Sequence, residues 1–202
     1  MSKKPINVSM KVAFLGDPKI GKSNFIKNYA GEDSVTKDKK EKGPHFVFLN
    51  KLENYEFKIN IYEYSDTERH SSVIKDCQCV FILFDMAKRE AFERLLDNWI
   101  IFVRDTSGYK GKIIILGNYA NEKDFLTTDE EEVEELIQVC DINGEFHRIG
   151  TKSNEEKKEL IKGFINAACS RYVQGKKNED CLIFWFIHNR NFYNLKKYKV
   201  IT

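Results

Sequence analysis

The chain has 202 residues, of which 42% are apolar, and its 33 basic and 31 acidic side chains leave a formal net charge of +2. That size and apolar share suit one domain with a real core, or one domain with a tail, and charge so near balance gives no case for nucleic-acid binding. No stretch reads as a signal peptide or is apolar for long enough to span a membrane, so a cytoplasmic protein is expected. The five cysteines, Cys77, Cys79, Cys140, Cys169 and Cys181, are odd in number and lack a framework spacing. They read as small buried side chains in a reducing compartment, with Cys77 and Cys79 on the same side of a strand.

Residues 1–7 read as a disordered start. Residues 10–15, Met-Lys-Val-Ala-Phe-Leu, are short and mainly apolar, the pattern of a buried strand. Gly16-Asp17-Pro18-Lys19-Ile20-Gly21-Lys22-Ser23 comes next, and residues 24–30 can continue as a helix. Two glycines four residues apart, followed by Lys-Ser, form the phosphate-binding loop pattern, and strand, loop, helix is the setting that pattern requires. Consecutive backbone N–H groups can surround phosphate oxygens only if the loop curls tightly, which Gly16 and Gly21 permit. Lys22 would place a point charge on the outer phosphates, the Ser23 hydroxyl would hold Mg2+, and the positive end of the following helix would add to the field.

Residues 31–44 are polar and charged. They read as a solvated loop, which is compatible with a nucleotide-sensing loop. Residues 45–49 and 55–62 read as two strands of a hairpin turning at Glu53-Asn54. Residues 65–76 are polar again, and 77–86 form another buried strand. Phe92, Leu95, Leu96, Trp99, Phe102 and Val103 fall at helical spacing, with Trp99 and Phe102 expected in the core. Residues 112–116 are a fifth strand. Residues 128–140 form an amphipathic helix whose capping box is expected at Thr128 and Glu131, with Val133, Leu136, Ile137 and Cys140 facing inward. Residues 145–149 suggest a sixth strand. A last helix starts at Ser153 with Glu156, burying Leu160, Ile161, Phe164, Ile165 and Ala168.

Strands alternating with helices predict an α/β fold of three layers, a phosphate-loop sandwich. Its six-stranded sheet is mostly parallel with one antiparallel hairpin, and helices cover both faces. Ligands in such sheets sit at the carboxyl ends of the strands, where the phosphate loop and Gly117-Asn118 both fall.

These motifs together resemble a small GTPase of the Ras superfamily, nearest the Rab branch, over residues 8–172. Residues 16–23 resemble the Rab phosphate loop. Residues 84–92, with Trp99 further on, resemble the Rab segment that enters the third helix. Residues 115–118 stand where the family begins its guanine-recognition motif, and Gly150-Thr151-Lys152-Ser153 where it has its Ser-Ala-Lys loop. The resemblance implies GTP or GDP and Mg2+ as cofactors, and effector or regulator proteins as partners through the switch surface. It implies nucleotide contacts from Asp17, Pro18, Lys19, Ile20, Gly21, Lys22, Ser23, Asn118, Tyr119, Asn121, Thr151 and Lys152, with Ser23 also on the metal. Vesicle traffic or signalling is the implied setting.

Departures from the family pattern bear on mechanism. The first switch normally carries a Thr that senses the metal and the terminal phosphate; residues 40–44 have no hydroxyl, although Thr36 lies upstream. The second switch normally reads Asp-x-x-Gly-Gln; here Glu63-Tyr64-Ser65-Asp66-Thr67 replaces it. Either Glu63 or, with a gap, Asp66 takes the acid position. The Gly that meets the terminal phosphate and the Gln that orients the attacking water are both replaced, so hydrolysis is expected to be very slow or absent. Asn118-Tyr119-Ala120-Asn121 stands for Asn-Lys-x-Asp. Asn121 offers one acceptor where an Asp accepts two bonds from guanine, so another purine is admitted, while Tyr119 could cover the base face. Residues 1–172 are expected to form the nucleotide-binding domain and 173–202 a basic, aromatic tail. The last cysteine is Cys181, so no prenyl anchor is expected. The tail is open to packing on the domain, to contact with lipid headgroups at a membrane periphery, or to no role. A binding module of this fold that neither hydrolyses nor switches is the alternative reading.

Overall fold

A computed structural model of the chain describes residues 4–30, 46–66, 71–119, 125–150 and 152–196, with backbone alone for Ala30 and 177–196. Two compact units are distinguished, residues 1–165 and 166–202. The first holds the sheet and its helices. The second, among the described residues, is the continuation of the last helix to Lys196. Among the described residues no helix is long and apolar enough to cross a membrane.

The order is β1 (Ile6–Gly16), α1 (Lys22–Ala30), β2 (Phe46–Leu52), β3 (Tyr55–Tyr64), α2 (Ser71–Lys75), β4 (Cys79–Asp85) and α3 (Arg89–Arg94). Helix α3 continues through π-helical turns at Leu95–Ile100 and Phe102–Thr106. Then come β5 (Lys112–Asn118), α4 (Glu130–Val139), β6 (Gly144–Arg148) and α5 (Asn154–Lys196). The six strands line up as β2-β3-β1-β4-β5-β6. Among the described residues only β2 and β3 pair antiparallel, and every other pairing is parallel.

Strands β4 and β5 are nearly continuous apolar runs because both of their faces are covered. On one face Ala13, Leu15, Val80, Ile82 and Ile115 meet Leu95, Trp99, Val103, Val133 and Leu136 from the third and fourth helices. On the other, the Phe14 ring stacks on Phe81 with centroids 4.5 Å apart, edge-on to Phe25 of α1, and Phe81 meets Phe164 of α5. Each such ring removes a large apolar area from water, which fixes the register of the helices on the sheet. All parallel strands therefore present their carboxyl ends along one edge, and the loop after β1 lies there.

Some boundaries differ from the sequence reading. The first strand starts at Ile6, within the stretch expected to be disordered, because Ile6 pairs with Tyr55 of β3 and Val8 and Met10 alternate inward. Helix α4 begins one residue later than expected. Asp129, not Thr128, accepts from the Glu132 N–H at 2.9 Å, and Glu132 reaches back to the Asp129 N–H. The Thr128 side chain is buried, its hydroxyl without a hydrogen-bond partner among the described residues. Cys77 precedes β4 instead of sharing a strand face with Cys79, and its thiol donates to the Val73 carbonyl at 3.3 Å. Burial pushes that thiol up to about 12, so it stays protonated and inert. Expectations for residues 31–44, Thr67, Asn121 and Thr151 lie outside the described residues.

Candidate nucleotide site

β1 delivers the phosphate loop, and backbone geometry there demands glycine. Gly16 has φ +140, and a Cβ added to it would sit 2.2 Å from the Leu83 carbonyl oxygen of β4. Both the conformation and the close approach exclude a side chain. Lys19 holds φ +65, a left-handed conformation costly for a residue with a Cβ, and its side chain is exposed. Gly21, at φ +98, opens α1, whose first bond runs from the Phe25 N–H to the Gly21 carbonyl at 3.0 Å.

Lys22 is 3% exposed, unusual burial for a lysine. Its ammonium donates to the Gly16 carbonyl at 2.7 Å, the Asp17 carbonyl at 2.8 Å and the Ser65 hydroxyl at 2.8 Å. Loss of hydration pushes its pKa below the ordinary value, and the carboxylates of Glu63 and Asp17 only partly offset this. A buried cation held by neutral acceptors is poised for an anion. The Ser23 hydroxyl lies 2.6 Å from Glu63 Oε1 at the end of β3. Of the two candidates for the acidic position, Glu63 is therefore the one that contacts Ser23.

The Asp17 carboxylate turns away from the loop toward the third helix. Its Oδ2 accepts from Arg94 Nε at 2.8 Å and lies 2.6 Å from an Arg94 terminal nitrogen, while Oδ1 accepts from the Trp99 indole N–H at 3.2 Å. Pro18 is exposed, and with Asp17, Ser65, Asp66, Arg94 and Trp99 it lines a cleft of about 490 Å³.

A larger cleft, about 710 Å³, is lined by Ile20, Gly21, Asn24, Lys27, Asn118 and Lys157 among others. Among its described lining residues there is no carboxylate, so the two lysines leave it positive, which suits an anionic ligand. Asn118 closes this cleft against the loop by donating to the Ile20 carbonyl at 3.2 Å. Tyr119 does not line it. Its ring is 5% exposed, a Cβ on Gly150 would meet it at 2.2 Å, and its hydroxyl accepts from Arg148 at 3.1 Å. The Arg148 guanidinium lies 5.1 Å from the ring centroid. Tyr119 is thus buried and held by Arg148 in this structure. Lys152 is half-buried, with its N–H on the Ile149 carbonyl at 3.1 Å.

The donor set fits the implied ligands. Glycine-permitted loop curvature, a helix N-terminus and a buried ammonium make a phosphate cradle. A Ser hydroxyl beside a carboxylate offers the hard oxygen donors that Mg2+ takes alongside phosphate oxygens. Among the described residues no cluster of His, Cys, Asp and Glu could hold a metal by itself, so this fit concerns a metal held jointly with phosphate.

The family model described as the Ras family matches residues 11–170, most of the chain. The chain belongs to the Ras family. Within it the chain is a divergent, Rab-like small GTPase, as its similarities show. It is 21% identical to the GTP-binding protein Rab-3D of Rattus norvegicus over 174 residues, covering 80% of this chain and 74% of the relative. It is 24% identical to the Ras-related protein RABA4b of Arabidopsis thaliana, over 66% of this chain and 61% of the relative. It is 30% identical over 122 residues to the DnaJ homolog subfamily C member 27-B of Xenopus laevis, which covers 58% of this chain but only 43% of that longer relative.

Four features of the site were not singled out from the sequence: the Ser65 contact to Lys22, the pairing of Arg94 with Asp17, the polar use of Trp99, and Arg148 over Tyr119. For Ser65 a signal exists, a hydroxyl just past the carboxyl end of β3 and next to the phosphate loop. For Arg94 and Trp99 the signal is hidden by helical spacing, which places Trp99 in the core and says nothing of its N–H.

Proposed function

We propose that this Ras-family chain binds a purine nucleotide, GTP or GDP first, through the phosphate loop and with Mg2+ at Ser23, and that it acts as a regulator or adaptor in vesicle trafficking or signalling. The observation that carries the reading is Lys22, buried with its ammonium on two loop carbonyls. Burying a lysine beside neutral partners disfavours its charged form, and an anionic ligand at the loop offsets that cost. When bound, Mg2+ supplies charge neutralisation between phosphates. Lys22 holds the outer phosphates, Ser23 orients the metal, and Glu63 orients Ser23. Asn118 fixes the loop at Ile20, and Asn121, Thr151 and Lys152 complete the base side. Effectors or regulators would bind the switch surface, and residues 173–202 would form a basic, aromatic tail.

Hydrolysis is proposed to be very slow or absent, because the second-switch Gly and Gln are replaced by Asp66 and Thr67. A specific observation favours the second reading, a binding module that does not switch. Lys22 and Ser23, which would contact phosphate and metal, already engage Ser65 and Glu63. Release of any nucleotide that copurifies with the protein, with identification by chromatography, tests both. GDP or GTP at one equivalent that the protein turns over and exchanges supports the first reading. Nucleotide that is held without turnover, or protein that is empty and fails to bind added nucleotide with Mg2+, supports the second.

A further inference from the structure

Arg94 and Trp99 converge on a single carboxylate, and an ordinary helix would not allow it. Residues five positions apart on an α-helix lie roughly 140° apart around its axis. Trp99 is buried in the face that packs on the sheet, so on an α-helix Arg94 would point well away from it. The helix instead runs through a π-helical turn at Leu95–Ile100. Such a turn closes through i→i+5 bonds and brings the chain back to the same side after about five residues. Arg94 stands immediately before that turn and Trp99 within it. The result is a two-sided grip on Asp17, the guanidinium on one oxygen and the indole N–H on the other. π-helical turns are rare and occur frequently at functional sites.

The grip reaches the phosphate site through one residue. Asp17 is the second member of the loop, and its own backbone carbonyl accepts from the Lys22 ammonium at 2.8 Å. A carboxylate so near a site for phosphate would repel the ligand unless a cation offset it. Arg94 supplies that cation, and pairing with Asp17 raises its pKa further.

We propose that Arg94 and Trp99 are positioning residues for the phosphate loop. Acting through the Asp17 carboxylate, they hold the Asp17 carbonyl where it fixes Lys22 and keep the carboxylate turned away from the phosphates. This inference rests on the nucleotide-binding reading above.

The test uses the full chain with Mg2+ and a fluorescent GDP analogue, measuring release after excess unlabelled GDP is added. Arg94→Gln should release the analogue roughly tenfold faster, a factor equivalent to about 1.4 kcal/mol. Its thermal midpoint without nucleotide should change little, because the Arg94 and Asp17 side chains are 44% and 21% exposed and such pairs contribute little to folding. Trp99→Phe, which keeps the buried ring, should also speed release. Arg94→Lys should restore part of the loss as a point charge. Asp17→Asn combined with Arg94→Gln should be no faster than Asp17→Asn alone, since both changes break one interaction. Release from Arg94→Gln at the parent rate, or full additivity in the double variant, would overturn the positioning role while leaving nucleotide binding in place. A parent protein that binds no guanine nucleotide would overturn the nucleotide reading, and the positioning role with it.

Discussion

Replacing Lys22 by Met should separate what the residue does for folding from what it does for the ligand. Met keeps most of the stem volume and removes the ammonium. In the structure that ammonium makes three hydrogen bonds, two to loop carbonyls and one to the Ser65 hydroxyl. The carbonyl bonds hold the loop, so the donor now on Ser65 is the one free to pass to a phosphate. One hydrogen bond involving a charged group contributes about 1.5–3 kcal/mol, which sets the loss at roughly ten- to a hundredfold in Kd for each phosphate contact. Titration calorimetry with GDP and Mg2+ should therefore show binding weakened by about two orders of magnitude. The apo protein should behave differently. Burial lowers the folded-state pKa of Lys22 below its unfolded value. In the window between those two values the unfolded chain binds more protons, so stability rises with pH there. Below both values both states are protonated and the folded state carries the full penalty. The midpoint difference, parent minus Lys22→Met, should thus grow as pH rises toward the ordinary lysine value of 10.5. Binding by Lys22→Met as tight as by the parent would refute the phosphate-loop argument, and a pH-independent difference would refute the burial argument.

Other changes test other parts of the site. Gly16→Ala forces a Cβ to 2.2 Å from the Leu83 carbonyl oxygen at φ +140 and should destabilise the fold by on the order of 3 kcal/mol, read by denaturant unfolding. Competition among GTP, XTP and ATP should show weaker guanine preference than the family norm, because the Asn121 amide can donate to the extra carbonyl of xanthine; strong GTP selectivity unchanged in Asn121→Ala would count against that pocket. Single-turnover hydrolysis with Mg2+ should be very slow in the parent and should rise in Asp66→Gly combined with Thr67→Gln; a parent as fast as an ordinary small GTPase would contradict the reading.

The sheet was legible because its strands are buried on both faces and so read as unbroken apolar runs, as in Val80-Phe81-Ile82-Leu83-Phe84. The phosphate loop was legible because chemistry limits which residues can curl around phosphate. Ile6 was missed because its pairing partner, Tyr55, is distant in sequence. The cap of α4 was misplaced by one residue because Thr128 and Asp129 both suit an N-cap, and burial of Thr128 decides between them. The burial of Tyr119 was hidden in the sequence, because its contacts with Gly150 and Arg148 come from residues distant along the chain. The grip on Asp17 depends on a π-helical turn, and nothing in the composition of Leu95–Ile100 distinguishes such a turn from an α-helix.

The contacts of Lys22 and Ser23 frame the question of switching as one of exchange. A ligand can shift the second switch only by as much as it binds one arrangement better than another. In ordinary members of the family that difference comes from a backbone N–H on the terminal phosphate, made by a Gly where the proposed alignment puts Asp66. Here a different linkage is available. The Ser65 hydroxyl sits just past the end of β3 and accepts from the ammonium that a phosphate would claim. The Glu63 carboxylate sits on the hydroxyl that a metal would claim. If the chain does bind nucleotide, a ligand that draws Lys22 off Ser65 would free Ser65 whether or not its terminal phosphate is present, because the exchange would happen at the lysine. Conformational response would then follow occupancy of the site rather than the difference between triphosphate and diphosphate. That outcome agrees with a chain in which slow hydrolysis carries no penalty.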